Sequence, residues 1–227
     1  MFSYIVLGIM VIILVFIFTR FRPSATQKIT DELYVVRCGI VNFYVLTTSD
    51  GAVLFDTGIN SFSAKNGLRR LGIAPDTVTR IFLTHTDYDH AGGISAFPQA
   101  RRYILIDEEQ MINGKTPRRF FLYNKPLTNY NLMNDGETIV IGDTAIRAVV
   151  TPGHTPGSAL YIINDRYIAS GDLLRVSRNG TILPFLRFMN INHSQDVQSV
   201  AAMKSDIKKA EYILTGHTGF HKISSLK

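Results

Sequence analysis

Four side chains able to bind a metal ion fall within six residues of this chain: His85, Asp87, Asp89 and His90. They follow a short apolar run, Arg80-Ile81-Phe82-Leu83, which reads as a buried strand, and they precede Gly92-Gly93, which reads as the opening of a helix running to about Phe97. Three further groups repeat the arrangement. Thr151-Pro152-Gly153-His154-Thr155-Pro156-Gly157-Ser158, Ser170-Gly171-Asp172 and Thr215-Gly216-His217 each come directly after a predicted strand. Loops at one end of a sheet sandwich can bring such residues together, and four of the six histidines belong to this pattern.

The remaining chain supplies the strands. Leu33–Val36, Val41–Thr47 and Ala52–Phe55 read as strands, the last two joined by the turn Ser49-Asp50-Gly51. Ser61–Leu71 reads as a helix capped by Ser61, followed by Gly72. A strand at Tyr103–Ile106 and a short helix at Asp107–Ile112 lead into an irregular, aromatic and basic stretch over 113–134. Thr138–Ile141 with Ala145–Val150, and Leu160–Ile163 with Tyr167–Ala169, read as hairpins. Ser194–Ala210 reads as an amphipathic helix with Val197, Val200, Ala201 and Met203 inward, and Tyr212–Thr215 as a final strand. Runs of strands mixed with helices, in two similar halves, predict a sheet sandwich with helices outside.

The HxxxDH core, TPGHTPGS, SGD and TGH, in this order, resemble the metallo-β-lactamase fold superfamily, and within it the glyoxalase II and lactonase-like hydrolases. The resemblance covers roughly residues 30–220. It implies an α/β (α+β) fold, an αββα sandwich of two mixed β-sheets with outer helices. It also implies roles: His85 and His154 bind a first metal together with the residue at 87, Asp89, His90 and His217 bind a second, and Asp172 bridges the two. Asp56, in Phe55-Asp56-Thr57-Gly58, matches a buried carboxylate that supports the metal-binding loop. Two divalent ions are the implied cofactors, zinc first, with iron and manganese as alternatives.

One position departs from the family. The usual HxHxDH is here HxDxDH, with Asp87 where a histidine is expected. A carboxylate still binds a metal, but it is shorter and adds negative charge, and an oxygen-richer site shifts preference towards iron or manganese. A glutamate at this position resembles the flavodiiron oxidases, and an aspartate resembles nuclease-type domains of some DNA-uptake proteins. Two divalent ions about 3.5–4 Å apart lower the pKa of a shared water from about 15.7 towards neutrality. The expected function is hydrolysis of an ester, thioester, lactone or phosphodiester bond by a metal-bridging hydroxide, with Asp89 as the catalytic residue that orients it and shuttles its proton. The alternatives are a diiron oxidoreductase, for which this chain shows no flavodoxin-like partner domain, and a non-catalytic metal-binding scaffold.

Outside this pattern the N-terminus stands apart. Phe2 to Phe18 is apolar except for Ser3, Tyr4 and Gly8, and no charge precedes Arg20. As a helix this run would span about 26 Å, close to a bilayer's hydrocarbon thickness. A cleaved signal peptide fits less well, because no positive residue precedes the run and Phe21-Arg22-Pro23 interrupts a cleavage site at Ser24-Ala25. The expectation is a transmembrane anchor over 1–20, a linker over 21–29 and the catalytic domain over 30–227. Arg20, Arg22 and Lys28 after the run predict a single-pass membrane protein with that domain in the cytoplasm. Cys38 is the only cysteine, so no intrachain disulfide forms. The formal net charge of +6 lies partly beside the expected anchor and at Arg118-Arg119, and no Lys/Arg block interleaved with aromatics is present, so no nucleic-acid partner is expected. The expected partner is a small-molecule, anionic substrate, met by Arg118, Tyr123 and His193, with 113–134 as a lid.

Overall fold

Two strands carry apolar residues at nearly every position, β4 (Gly51–Phe55) and β10 (Ala159–Ile163), and each lies inside a sheet covered on both faces. Around them the computed structural model, which describes residues 8, 15 and 19–227, builds two sheets. The first joins β1 (Gln27–Lys28), β2 (Leu33–Cys38), β3 (Val41–Thr48), β4, β5 (Val78–Phe82), β6 (Arg101–Leu105) and β7 (Tyr130–Met133) in chain order. Its pairs are antiparallel as far as β4 and parallel from β4 to β7. The second has the order β15-β14-β11-β10-β9-β8, built from β8 (Thr138–Ile141), β9 (Thr144–Val150), β10, β11 (Tyr167–Gly171), β14 (Tyr212–Thr215) and β15 (Gly219–Lys222). Only its β11–β14 pair is parallel. A small ribbon, β12 (Leu174–Val176) with β13 (Ile182–Pro184), stands beside it.

The sheets meet face to face through Leu33, Tyr44, Phe55, Phe82, Ile146, Tyr161 and Leu214. Helix α1 (Ser61–Arg70) covers the outer face of the first sheet with Ala64 and Leu68. Short helices α2 (Tyr88–Ala91) and α3 (Glu109–Ile112) close strand ends. Helices α4 (His193–Ala202) and α5 (Lys204–Lys209) flank the second sheet, whose outer face buries Met203 and Ile207. The layers therefore run helix, sheet, sheet, helix.

The membrane anchor is a correction. The helix expected over 1–20 lies almost wholly outside the described residues, and among the described residues no helix is long and apolar enough to cross a membrane. The longest, α1 and α4, have ten residues each, about 15 Å against a hydrocarbon core of about 30 Å. The single-pass membrane location and the cytoplasmic orientation rested on that helix and fall with it. The stretch expected as a linker is tied down: Arg22 N donates to His217 O at 2.7 Å, Ser24 N donates to Asn42 Oδ1 at 2.7 Å, and β1 pairs with β2.

Smaller differences have local causes. Asn60, not Ser61, caps α1, its Oδ1 accepting from Ser63 N at 2.8 Å. Gly92 ends one helical turn and Gly93 opens only a short 3-10 turn, Ile94–Ala96, in place of the longer helix expected there. A Cβ at Gly92 would lie 2.1 Å from Ile59 O and one at Gly93 2.1 Å from Thr57 O, so the pair is there for close approach. The expected helix over 194–210 breaks at Met203, and Asp196 and Ser199 are buried while Val197 is exposed. Its inner face is polar because Asp196 Oδ2 accepts from Phe185 N at 3.2 Å and the Ser199 hydroxyl donates to Pro152 O at 2.8 Å.

Candidate metal centre

The segments after β5, β9, β11 and β14 reach one place. They bring together three overlapping trios of donors, His85–Asp87–His154, His85–His90–Asp172 and Asp89–His90–His217, each with ligand atoms within 4.8 Å of one another. Asp172 lies centrally, with Oδ2 3.2 Å from His217 Nε2 and 3.6 Å from His154 Nε2, and Oδ1 3.4 Å from His90 Nε2. Asp87 Oδ2 is 3.2 Å from His154 Nε2 and 3.6 Å from His85 Nε2, and Asp89 Oδ2 is 3.3 Å from His217 Nε2. All seven residues singled out in the sequence are thus neighbours.

The four imidazoles share one orientation, which fixes their tautomers. His217 Nδ1 donates to Ile40 O at 2.8 Å, His90 Nδ1 donates to Asp56 Oδ2 at 2.7 Å, and His154 Nδ1 donates to Asn190 Oδ1 at 3.1 Å. The Thr84 hydroxyl donates to Asp56 Oδ2 at 2.8 Å, so its oxygen accepts from His85 Nδ1, 3.0 Å away. Every Nδ1 is therefore held by a partner facing outward, and every Nε2 faces the carboxylates, where a cation would take the place of a proton. Nε2 of His85, His90 and His217 and Oδ1 of Asp172 are buried without a hydrogen-bond partner. Imidazole nitrogens and carboxylate oxygens turned inward, several of them without a hydrogen-bond partner, fit a divalent cation.

Electrostatics divide the rings. Burial, and then the charges of His90 and His154, push His85 well below the ordinary 6.5. For His90 and His217 burial acts in the same direction but loses: Asp172, Asp56 and Asp89 raise His90, and Asp172 and Asp89 push His217 up to about 10. Burial would raise the carboxylates, yet His217 and His90 hold Asp172 well below the usual range and bring Asp89 to about 2. Asp87 is likewise held low against burial by His154, His85 and Arg118.

Buried carboxylates beneath the loops hold them in place. Asp56, at φ 65°, accepts from Thr84 N at 2.7 Å as well as from His90 and the Thr84 hydroxyl. Glu108, just beyond β6, accepts from Thr86 N and the Thr86 hydroxyl, both at 2.7 Å, and from the Thr155 hydroxyl at 2.6 Å. It thereby joins the 85–90 segment to the 151–158 segment. Burial raises its pKa from 4.5 to about 7 in spite of those donors.

Of the residues expected to meet substrate, Arg118 reaches the centre, with Nε 2.7 Å from Asp87 Oδ2. His193 is set back, its Nδ1 3.1 Å from the Asn190 amide that also holds His154. Tyr123 lies further out, half exposed, on a separate cavity of about 460 Å³ that it lines with Tyr88, Asn124 and Lys125. Sequence reasoning missed Glu108, Asn190, Asn124 and Phe21. Asn124 Nδ2 donates to Asp87 Oδ1 at 3.0 Å, and the Phe21 ring stacks on His217 with centroids 4.4 Å apart. Nothing in the sequence separates Glu108 from Glu109, and the mark of Phe21 was hidden in the apolar run before it.

Comparison with known proteins agrees with this geometry. Residues 36–217 match the family model described as the metallo-beta-lactamase superfamily. The chain is 28% identical over 142 residues to a probable metallo-hydrolase, YqgX, of Bacillus subtilis, a match covering 59% of this chain and 65% of that protein's length. It is 25% identical over 202 residues to an N-acyl homoserine lactonase of Bacillus thuringiensis, covering 75% of this chain and 78% of that one. A solved B3 metallo-beta-lactamase with an active-site glutamic acid superposes with a TM-score of 0.68 at 21% identity, over 91% of this chain and 88% of that one.

Proposed function

The chain belongs to the metallo-beta-lactamase superfamily, and we propose that it is a metal-dependent hydrolase that opens an ester, thioester or lactone bond in a small molecule. The observation that carries this reading is the common orientation of His85, His90, His154 and His217, whose Nδ1 atoms are held from outside and whose Nε2 atoms all turn towards Asp87, Asp89 and Asp172.

His85, Asp87 and His154 would form one cradle, Asp89, His90 and His217 the other, and Asp172 would contribute to both. Zinc is the leading candidate for these donors, with iron or manganese favoured by the extra carboxylate of Asp87. A bound divalent ion supplies a water acidic enough to serve as hydroxide near neutral pH. The chain's own share is positional. Asp89 has 28% of its side chain exposed, against 3% for Asp172, so water and substrate would enter on its side. Against burial, His90 and His217 keep its carboxylate ionised, so it would accept a hydrogen bond from the attacking water and orient it. Phe21, Phe185 and Leu186 form a buried apolar cluster beside His217 and His154 and exclude solvent there. The similarity to an N-acyl homoserine lactonase supports a carbonyl electrophile ahead of a phosphodiester.

The test is a panel of esters, thioesters, lactones and phosphodiesters offered to metal-stripped protein reloaded with zinc, manganese or iron. Turnover that appears on loading and vanishes on chelation is expected. Bound metal without turnover in any panel would remove the hydrolase reading, and oxygen uptake by the iron form would replace it with oxidase chemistry.

A further inference from the structure

The two cradles differ in one respect, and the difference is Arg118. Its Nε donates to both oxygens of Asp87, at 2.9 and 2.7 Å, while one terminal nitrogen lies 3.1 Å from His154 Nε2 and 2.7 Å from Met189 O. A guanidinium carries only donors, so His154 Nε2 accepts from it, and the lone pair that would face an ion is already used. Two of the three donors in the His85–Asp87–His154 cradle are thereby engaged by a cation of the chain itself. In the other cradle Asp89 and Asp172 face only histidines among the described residues, and no Lys or Arg among them pairs with either carboxylate.

Two more observations fit. The segment that carries Arg118 is fastened over Asp87 at further points: Asn124 donates to Asp87 Oδ1 and to Thr86 Oγ1, both at 3.0 Å, and Arg119 donates to Phe188 O. Charge also balances. Three carboxylates are neutralised by one guanidinium and one divalent ion, whereas two divalent ions beside Arg118 leave an excess of positive charge in a buried site. An aspartate at 87 offers both its oxygens to the Nε–H of Arg118, a charge-assisted contact that an imidazole there could not make.

We infer that Arg118 is the resident cation of the first cradle. The chain holds one divalent ion, on Asp89, His90 and His217 with Asp172, and the His85–Asp87–His154 cradle admits an ion only in exchange for the guanidinium. This rests on the metal-dependent reading above.

The experiment counts ions. Metal-stripped full-length protein is dialysed against zinc and the bound metal counted, and cobalt is titrated in with its visible absorption followed. The wild type is expected to bind one ion per chain. Arg118→Ala, or Arg118→Gln if the first does not fold, is expected to bind two, the second at least tenfold more tightly than the wild type does. Two ions of matched affinity in the wild type would overturn the inference and leave the metal reading intact. One ion in the wild type and in every folded variant would overturn it as well. No bound ion in any protein would sink the metal reading and the inference with it.

Discussion

His90 Nδ1 lies 2.7 Å from Asp56 Oδ2, and the same oxygen takes the Thr84 hydroxyl at 2.8 Å, so one carboxylate sets the tautomers of both His90 and His85. Removing such a partner of a metal-binding histidine costs about 10–100-fold in metal affinity. Asp56→Ala should weaken zinc binding by that factor in a competition titration against a chelator, while Asp56→Asn, which keeps an oxygen acceptor, should lose less. Equal affinity in all three proteins would contradict the role.

Asp172 faces His90, His154 and His217 at 3.2 to 3.6 Å. Asp172→Ala should lower zinc retained after dialysis by about tenfold or more, since it removes a carboxylate that faces histidines of both cradles. Unchanged retention would contradict its central place.

Gly216 separates Thr215 from His217, and a Cβ there would lie 2.5 Å from Asp172 Oδ1 and 2.8 Å from His90 Cε1. Gly216→Ala should therefore displace two donors at once. Overpacking of this kind costs about 1–3 kcal/mol, and the expected readout is a lower melting temperature together with weaker zinc binding. A variant with wild-type zinc affinity would show that the site absorbs the methyl group.

Phe21 is buried against His217 and Phe185. Truncating it to alanine should cost about 2–3 kcal/mol of stability, measured by urea denaturation. A deletion that stops at residue 20 should spare the domain, and one that continues past 22 should not.

Much of the site could be read in advance because the donors stand next to strand ends and glycines in short, dense motifs. The strands β2 to β4 and β8 to β11 were legible from apolar runs and turn residues. What escaped was set by tertiary contact. β7 is an edge strand with only Met133 buried, so it carries little alternation. The inward face of α4 is polar because it bonds to Pro152 O and Phe185 N, contacts no helical period announces. The hold of Arg118 on Asp87 joins residues 31 apart through an irregular segment, and only the folded chain brings them into register.

Glu108 and Asp196 predict a pH dependence of stability. Burial raises Glu108 from 4.5 and Asp196 from 3.8, each to about 7. Between those values the folded chain carries more protons on these two groups than the unfolded one, so their contribution to stability falls as pH rises from about 4 to 7. Glu108→Gln should flatten the part of that slope above about pH 4.5, measured as urea midpoints across pH 4 to 8. An unchanged slope would place the titration elsewhere.

Each cradle takes donors from both halves of the sandwich: His85, Asp87, Asp89 and His90 come from the segment after β5, and His154, Asp172 and His217 from the ends of β9, β11 and β14. An ion seated there is a rivet through the seam between two sheets. Ligand that binds only the folded form adds about 2.7 kcal/mol of stability at a hundredfold excess over its dissociation constant, so metal supply would govern how long this chain survives as well as how fast it turns over.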